Sequence, residues 1–372
     1  GIFMVEENIQ VTVWCLAYNH EKYIRQTLEG FVAQKATFSF EVIIHDDAST
    51  DGTQAIIKEY TEKYPHIIKP IFQTENQYSK EVDLLHAFGL PKAKGRYIAF
   101  CEGDDYWCDS EKLQKQYEAL EDHPEIPMCV ARVKCVNEDG SPNERTIPER
   151  QYRIHRTGAV GRDKLSDLLF LRRGGYPFHT STYFIRKEVL EENGCGELFG
   201  LINGDQIIMR SALLAGGVYY IDEVLSCRRL FAIGSYNSRL RTMSDSYRMN
   251  QNFNAITAEI LFNEISEGIF CKKIFRYCYL ALFSCAQNYD REESKKKIME
   301  LKTKYPFRYS NGIKASMKYV VLMYFEWAFT LYSKVRKMRK GLSGGVKWTL
   351  DIPCYACRMM NPLDYAAVGQ AI

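Results

Sequence analysis

Apolar and polar positions alternate between strand-like and helix-like patterns along the first hundred residues. Residues 11–16 form a nearly continuous apolar run, which is typical of a strand covered by helices on both faces. Similar runs lie at residues 40–44, 67–72 and 97–101. Segments with helical spacing separate the first three runs. This order predicts an α/β fold with a mostly parallel, doubly wound sheet.

The predicted helices follow the strands closely. Residues 23–32 place apolar side chains at helical spacing, and Asn19 precedes them as the predicted N-cap. A second helix is predicted from Asp51 to residue 64, and a third over residues 82–88, ended by Pro91.

The remaining pattern divides the chain into three parts. Strands and helices continue to about residue 240, residues 241–341 read as helices only, and residues 342–372 form an unassigned tail. Within the first part we expect strands at 128–136, 180–186, 218–221 and 224–227, helices at 165–171 and 205–215, and a surface loop at 141–158.

Composition narrows the possible function classes. The net charge of +3 is too small to indicate nucleic acid as the main partner. The 12 cysteines lack the spacing of a disulfide framework, so we expect reduced, buried thiols. One C-x-x-C, at Cys354 and Cys357, has no second pair with which to complete a zinc site.

Targeting and membrane signals are weak. The N-terminal residues lack a basic region followed by an apolar one, so no signal peptide is expected. The longest apolar stretch, residues 320–332, is interrupted by Glu326 and falls short of the ~20 residues of a spanning helix.

Three polar clusters follow predicted strands. They are residues 18–20 after the first strand, residues 46–47 after the second and residues 102–105 after the fourth. Ligands of open α/β sheets bind outside the carboxyl ends of the strands. The clusters therefore predict one binding site at this edge of the sheet.

The segment after the second strand also resembles the opening of an EF-hand loop, through Asp47, Ser49, Asp51 and Gly52. Lys58 occupies the twelfth loop position, where calcium requires a bidentate carboxylate. Asp46 is better interpreted as a carboxylate that accepts a hydrogen bond from a ligand N–H.

The cluster Cys101-Glu102-Gly103-Asp104-Asp105 places three carboxylates in four positions, and like charges raise one another's pKa. It could be a solvated loop, a surface calcium site or a divalent metal site that holds phosphates. Mg²⁺ and Mn²⁺ commonly combine one or two carboxylates with substrate phosphates, which favours the third interpretation.

Three stretches resemble a known family: VTVWCLAYNHEKYIRQTLEGFVAQ, FEVIIHDDASTDGT and GRYIAFCEGDDYWCDSEKLQKQ. They are similar to inverting family 2 glycosyltransferases with the GT-A fold, of the kind that builds bacterial surface polysaccharides. The resemblance covers about residues 9–235. It implies a nucleotide-sugar donor, with UDP as the expected nucleotide, and a Mn²⁺ or Mg²⁺ cofactor.

The resemblance also assigns roles to residues. Ala17 and Tyr18 would border the base, Asp46 would accept from a uracil-like N–H, and Glu102 or Asp104 would meet the ribose. Asp104 or Asp105 would hold the metal that bridges the diphosphate. The full nucleotide-sugar site would comprise Ala17, Tyr18, Asn19, Asp46, Asp47, Glu102, Asp104, Arg228 and Arg229.

The residues that would act on the acceptor lie further along the chain. The family has an acidic residue at the start of a later helix, and Asp205 matches it as general base, although it could be only an N-cap. His179 could contact the acceptor or be a buried structural histidine. The family often carries a late metal-proximal histidine, but no histidine follows His179, so Arg228 or Arg229 would neutralise the diphosphate.

The resemblance implies transfer of a sugar to a glycan or lipid-linked glycan. A nucleotidyltransferase would need a glycine-rich loop after the first strand, and none is present. A non-catalytic nucleotide-sugar-binding protein is the other alternative. Residues 319–341 join an apolar stretch to a basic end, so this segment is either a core helix or a peripheral contact with the inner face of the cytoplasmic membrane. We expect a cytoplasmic protein.

Overall fold

The computed structural model describes residues 8–171, 177–192, 194–232 and 243–304. These fall into two compact units. The first comprises residues up to 168 together with 176–238, and the second comprises 169–175 and residues from 239 onward.

The first unit is built on a ten-stranded sheet whose main path runs β3-β2-β1-β4-β9-β6-β10-β5, with β7 on β6 and β8 on β10. Its strands are β1 (Ile9–Ala17), β2 (Ser39–Asp46), β3 (Ile68–Phe72), β4 (Tyr97–Phe100), β5 (Tyr106–Trp107), β6 (Met128–Val136), β7 (Pro142–Ile147), β8 (Gly158–Gly161), β9 (Phe184–Arg186) and β10 (Gly217–Arg229).

The sheet is mixed. β1 pairs in parallel with β2 and β4, β2 with β3, and β6 with β10. The pairs of β4 and β6 with β9, of β6 with β7, and of β10 with β5 and β8 are antiparallel. The expected parallel order therefore holds for β1 to β4, while most pairs in the second half of the sheet are antiparallel.

Helices pack onto the sheet through apolar faces. They are α1 (Ile24–Val32), α2 (Thr53–Lys63), α3 (Lys112–Asp122), α4 (Arg162–Ser166), α5 (Lys187–Glu192) and α6 (Gly204–Ala215). Ile24, Leu28 and Phe31 of α1 are fully buried, and the Phe31 ring meets Trp107 edge-on with ring centroids 4.7 Å apart. This packing positions the segment between β4 and β5 against α1.

The second unit is helical in its described part, as the pattern predicts. It contains α7 (Asp245–Ile265), α8 (Cys271–Asn288) and α9 (Arg291–Lys304), and Phe262 stacks on Phe270 with centroids 6.0 Å apart. No helix among the described residues is both long and apolar enough to cross a bilayer. Residues 319–341 and the pair Cys354 and Cys357 lie outside the described residues.

Several predicted elements need correction. The expected loop at 141–158 contains β7, a strand whose side chains are mostly polar, and the two expected short strands after α6 form the single strand β10 with irregular pairing near Val224. The helix expected at 82–88 is only one π-helical turn, Leu85–Gly89. Asn19, the predicted N-cap of α1, does not cap that helix. Residues 180–182 form a short helical turn before β9.

Candidate active site

The acidic loop, residues 101–105, leaves the end of β4 and stays hydrogen-bonded to β1. The N–H of Cys101 donates to the Trp14 carbonyl over 3.2 Å, and the N–H of Gly103 donates to the Leu16 carbonyl over 2.8 Å. A Cβ at Gly103 would lie 2.7 Å from His20 Nδ1, closer than side-chain contacts allow. A side chain at position 103 would force His20 and Ile24 to shift, so glycine lets the loop approach the start of α1 closely.

Two residues outside the loop fix Asp105. The buried Thr27 hydroxyl lies 2.6 Å from the Asp105 carbonyl oxygen and 3.0 Å from that of Gly103. The N–H of Arg229 donates to Asp105 Oδ1 over 2.8 Å. Both contacts orient the loop from neighbouring elements, α1 and β10.

Arg229 is a structural residue of this loop. Its Nε donates to the Asp104 carbonyl over 3.2 Å, Nη1 to the Glu138 carbonyl over 2.9 Å and Nη2 to Gln26 Oε1 over 2.7 Å. The guanidinium also lies over the Tyr23 ring, 4.8 Å from its centroid. Protein acceptors thus engage all three guanidinium nitrogens, so Arg229 is poorly placed to bind a diphosphate directly.

Arg228, the neighbour of Arg229 on β10, has a different environment. Its side chain makes no hydrogen bond with the described residues, and the residue is half-buried. Its charge lowers the pKa of Glu102, Asp105 and Asp205 against the stronger effect of burial, so all three carboxylates lie in its field. Arg228 is therefore the arginine available to an anionic ligand.

The acids of the loop repel one another. Desolvation, followed by the charges of Asp104 and Asp205, raises the pKa of Glu102 to about 8. Glu102 itself is exposed to solvent. Desolvation and the neighbouring Asp104 and Glu102 also raise the pKa of Asp105 well above its usual value. Such a cluster favours a cationic ligand.

Asp104 offers one oxygen to such a ligand. Its side chain is 8% exposed, and Oδ1 is buried without a hydrogen-bond partner among the described residues. No group of three or more metal-binding side chains occurs in the described ranges. The donor set therefore fits Mg²⁺ or Mn²⁺ only if substrate phosphates supply further oxygens, as is common for these ions.

Asp205 lies in the first turn of α6, after the N-cap residue Asn203. Its Oδ1 accepts from the N–H of Gln206 over 2.9 Å. Desolvation raises the pKa of Asp205, while this N–H, Arg210 and Arg228 oppose the rise. Because Asp205 also raises the pKa of Glu102, the start of α6 and the acidic loop share one electrostatic environment.

His179 belongs to the same environment. Its Nδ1 lies 3.7 Å from Asp105 Oδ2 and 2.9 Å from Ser181 Oγ. Desolvation and then the Arg228 charge lower the pKa of His179 well below its usual value. Both effects favour the neutral form of His179. Its proposed contact with an acceptor stays a prediction.

Asp46, at the end of β2, presents the second buried carboxylate oxygen without a partner. Its Oδ1 accepts from the Ser49 N–H over 3.0 Å and from Gln54 Nε2 over 2.6 Å. Its Oδ2 is buried and has no hydrogen-bond partner in the described part of the chain. A buried acceptor of this kind costs free energy unless a ligand donates to it.

The other residues predicted at the nucleotide site have mainly local partners. Asp47 accepts from the N–H groups of Gln77 (2.7 Å) and Tyr78 (3.0 Å) and so anchors the segment after β3. Asn19 has a positive φ of 54°. Its N–H donates to Ser49 Oγ, and its side-chain oxygen accepts from the Thr50 N–H. Ala17 is buried and its carbonyl accepts from the Asp47 N–H, whereas Tyr18 is 38% exposed.

Sequence reasoning missed the supporting residues Gln26, Thr27 and Gln54. Thr27 lies on the apolar face of α1, where a buried hydroxyl needs an acceptor, and this is the signal that could have identified it. Gln26 and Gln54 carry no such signal, because glutamines on helices are usually exposed.

Comparison with known proteins adds a family assignment. Residues 12–194 match the family model described as Glycosyl transferase family 2. An uncharacterized protein of Mycobacterium tuberculosis (strain ATCC 25618 / H37Rv) is 44% identical over 140 residues, which cover 37% of this chain and 39% of that protein. The match thus spans about two fifths of that relative's length.

Two further similarities are informative. The Escherichia coli protein named UDP-Glc:alpha-D-GlcNAc-diphosphoundecaprenol beta-1,3-glucosyltransferase WfaP is 36% identical over 111 residues, covering 30% of this chain and 41% of that protein. The crystal structure of S. aureus TarS 1-349 with UDP-GlcNAc has a TM-score of 0.52 at 17% identity, covering 92% of this chain and 95% of that one. At this identity the likeness concerns the fold alone, and it confirms the GT-A class.

Proposed function

Because this chain belongs to glycosyl transferase family 2 through residues 12–194, we propose that it transfers a sugar from a nucleoside-diphosphate sugar to a hydroxyl group of an acceptor, with inversion. UDP is the proposed nucleotide, and a glycan or lipid-linked glycan of a bacterial surface polysaccharide is the proposed acceptor. The names of relatives such as WfaP support this assignment.

One observation carries the proposal. Glu102 and Asp205 are distant in sequence, yet they interact electrostatically and share the field of Arg228. A carboxylate that can accept a proton therefore lies near a cationic side chain and an acidic loop that can hold a cation. This combination suits displacement of a diphosphate by a hydroxyl group.

The donor would lie along the carboxyl ends of β1, β2 and β4. Asp46 Oδ2 would accept the N3–H of a uracil ring, which is the partner that this buried oxygen lacks. Asp104, together with the diphosphate oxygens, would hold Mg²⁺ or Mn²⁺, and Arg228 would approach the diphosphate as a second positive charge. When bound, the cation stabilises negative charge on the leaving nucleoside diphosphate.

Asp205 would act as the general base. It accepts the proton of the acceptor hydroxyl as that oxygen bonds to the anomeric carbon, on the face opposite the departing diphosphate. The proton then leaves Asp205 for solvent. The raised pKa of Asp205 strengthens it as a base, while the Gln206 N–H and Arg228 keep its ionised form accessible. Such assistance contributes about 10²–10⁴-fold in rate.

The contact of residues 319–341 with a membrane surface also stays a proposal, supported by their sequence pattern alone.

A screen of nucleoside diphosphates and sugar nucleotides, with and without Mn²⁺ or Mg²⁺, tests the proposed function. Binding is read from the melting temperature and turnover from release of the nucleoside diphosphate. We expect UDP to raise the melting temperature more with metal than without it, and at least one UDP-sugar to be hydrolysed. If no nucleoside diphosphate changes the melting temperature, the proposal is wrong.

A further inference from the structure

The chain that follows β7 and continues through β8 carries a concentration of positive charge. Residues 150–162 contain four arginines and no acidic residue, so their net charge exceeds the +3 of the whole chain. The first seven of these residues, 150–156, form the basic segment, in which Arg150, Arg153 and Arg156 are exposed. A surface with charge of one sign attracts partners of the opposite sign.

Two buried side chains anchor the basic segment. Tyr152 is 1% exposed and Ile154 is 3% exposed, while Arg153 between them is exposed. Just after the segment, Thr157 Oγ1 accepts the Asp222 N–H over 3.0 Å, which ties this part of the chain to β10. Arg153 therefore reaches solvent from a backbone that is held on both sides.

The acidic residues beside the basic segment are already paired. Glu149 Oε1 lies 3.3 Å from Arg145 Nη2, and the Asp222 carboxylate binds Arg132. The side chains of the three exposed arginines of the segment make no ion pair or hydrogen bond with the described residues. Their charges are therefore available to an anion outside the protein.

The chemistry of the basic segment favours phospholipid headgroups over a sugar chain. Guanidinium groups donate paired N–H bonds to phosphate oxygens. They have no hydrogen-bond acceptor, so they do not match the hydroxyl donors of a sugar. The ring of Tyr152 is buried and cannot stack on a sugar. Exposed cations along one stretch of chain suit the negative potential of an anionic lipid surface.

We propose that the basic segment binds an anionic membrane surface, with Arg150, Arg153 and Arg156 contacting headgroup phosphates. This contact differs from the one expected for residues 319–341, because it depends on charge and includes no exposed apolar stretch. Arginines near an anionic lipid surface each strengthen binding, and salt weakens their effect.

The position of the basic segment relates this contact to the candidate active site. Asp222, which donates to Thr157, lies six residues before Arg228 on β10. At the rise of a strand this separation is about 20 Å. The proposed lipid contact thus lies in the same unit as the acidic loop. It concerns the charged surface itself and holds whether or not the transferase assignment is correct.

Sedimentation of the full chain with vesicles tests the proposal. Vesicles of phosphatidylcholine are compared with vesicles in which phosphatidylglycerol replaces about a third of the lipid. We expect binding to the anionic vesicles only, and added NaCl should weaken it. Arg150→Gln, Arg153→Gln and Arg156→Gln together should weaken binding by about tenfold or more, whereas lysine at all three positions should retain most of it.

Lys35→Gln, Lys92→Gln and Lys94→Gln together are the matched control, because they remove three charges from other exposed positions of the first unit. This control should keep most of the affinity, and all variants should keep the melting temperature of the unchanged protein.

Three results would overturn the proposal. The first is equal binding by the arginine-to-glutamine variant and the unchanged protein, and the second is no binding of the unchanged protein to anionic vesicles. The third is greater release of the protein by glycerol phosphate than by NaCl at equal ionic strength, since the segment would then recognise a single phosphate and not a lipid surface.

Discussion

The backbone N–H of Arg229 donates to Oδ1 of Asp105 over 2.8 Å, so the last residue of β10 fixes the last carboxylate of the acidic loop. The side chain of Arg229 is held by protein acceptors, whereas that of its neighbour Arg228 is not. Adjacent arginines thus have different environments: Arg229 supports the loop, and we propose that Arg228 supplies charge to the ligand.

Replacing each arginine by glutamine separates these tasks. Arg229→Gln leaves buried acceptors unpaired, so we expect a loss of about 3 kcal/mol of folding free energy. Arg228→Gln should change folding by only about 0.5 kcal/mol and weaken UDP binding by about tenfold or more, because a charged contact is lost. Denaturant unfolding and calorimetry with UDP measure both effects. The reverse pattern would contradict the assignment.

The Thr27 hydroxyl can be removed with little change in shape. Thr27→Val leaves the Gly103 and Asp105 carbonyls without their donor, and we expect a loss of about 1–3 kcal/mol together with weaker UDP binding. Thr27→Ser is the matched control and should retain UDP affinity. Equal UDP affinity in the valine and serine variants would show that Thr27 does not position the loop.

Asp46 should set the preference for the base. Its Oδ1 already accepts from Ser49 and Gln54, so in Asp46→Asn the amide oxygen should stay there and the NH₂ group should occupy the place of Oδ2. A donor would then face uracil N3–H, and UDP should bind about tenfold or more weakly. CDP, whose base has an acceptor at N3, should bind better to the variant than to the unchanged protein. Unchanged affinities for both nucleotides would exclude this contact.

Lys112 should make stability depend on pH. It is fully buried, its Nζ lies 4.0 Å from the Trp107 ring centroid, and burial lowers its pKa to about 7. Between this value and the ordinary lysine pKa, the unfolded chain binds a proton that the folded chain lacks. Stability should therefore rise with pH, by up to about 1.4 kcal/mol per pH unit.

Lys112→Met removes this titration. Relative to the unchanged protein, the variant should have its greatest advantage near pH 7, and that advantage should shrink as the pH rises towards 10. Urea unfolding at several pH values measures the difference. A constant difference across this range would mean that Lys112 keeps its proton in the folded protein.

The local pattern of apolar and polar residues was sufficient to predict the elements that are buried on both faces. β1 and β2 and the helix that begins beside Asp205 are close to their predicted bounds, because continuous apolar runs and helical spacing are local signals. β7 was missed because its side chains are mostly polar and only partly buried. β10 was split because Asp222 and Glu223 interrupt an otherwise apolar run.

Long-range contacts were not accessible from the sequence. Asn19 precedes α1 and looks like a cap, but its side chain binds the Thr50 N–H of a distant loop instead. The sequence alone does not distinguish Arg228 from Arg229. Only the packing of β10 against the acidic loop shows that their environments differ. The resemblance predicts the carboxylates as site residues, whereas their supports on α1 required the structure.

Asp205→Asn tests the central claim most directly, through release of UDP from UDP-sugars measured beside the affinity for UDP. The unchanged protein should hydrolyse at least one UDP-sugar in the presence of Mn²⁺ or Mg²⁺. The variant should bind UDP with unchanged affinity. Its rate of UDP release from that UDP-sugar should be lower by a factor of about 10² or more. Equal rates of release in the two proteins would contradict the role of Asp205, and failure of the unchanged protein to bind UDP would contradict the account of the donor site.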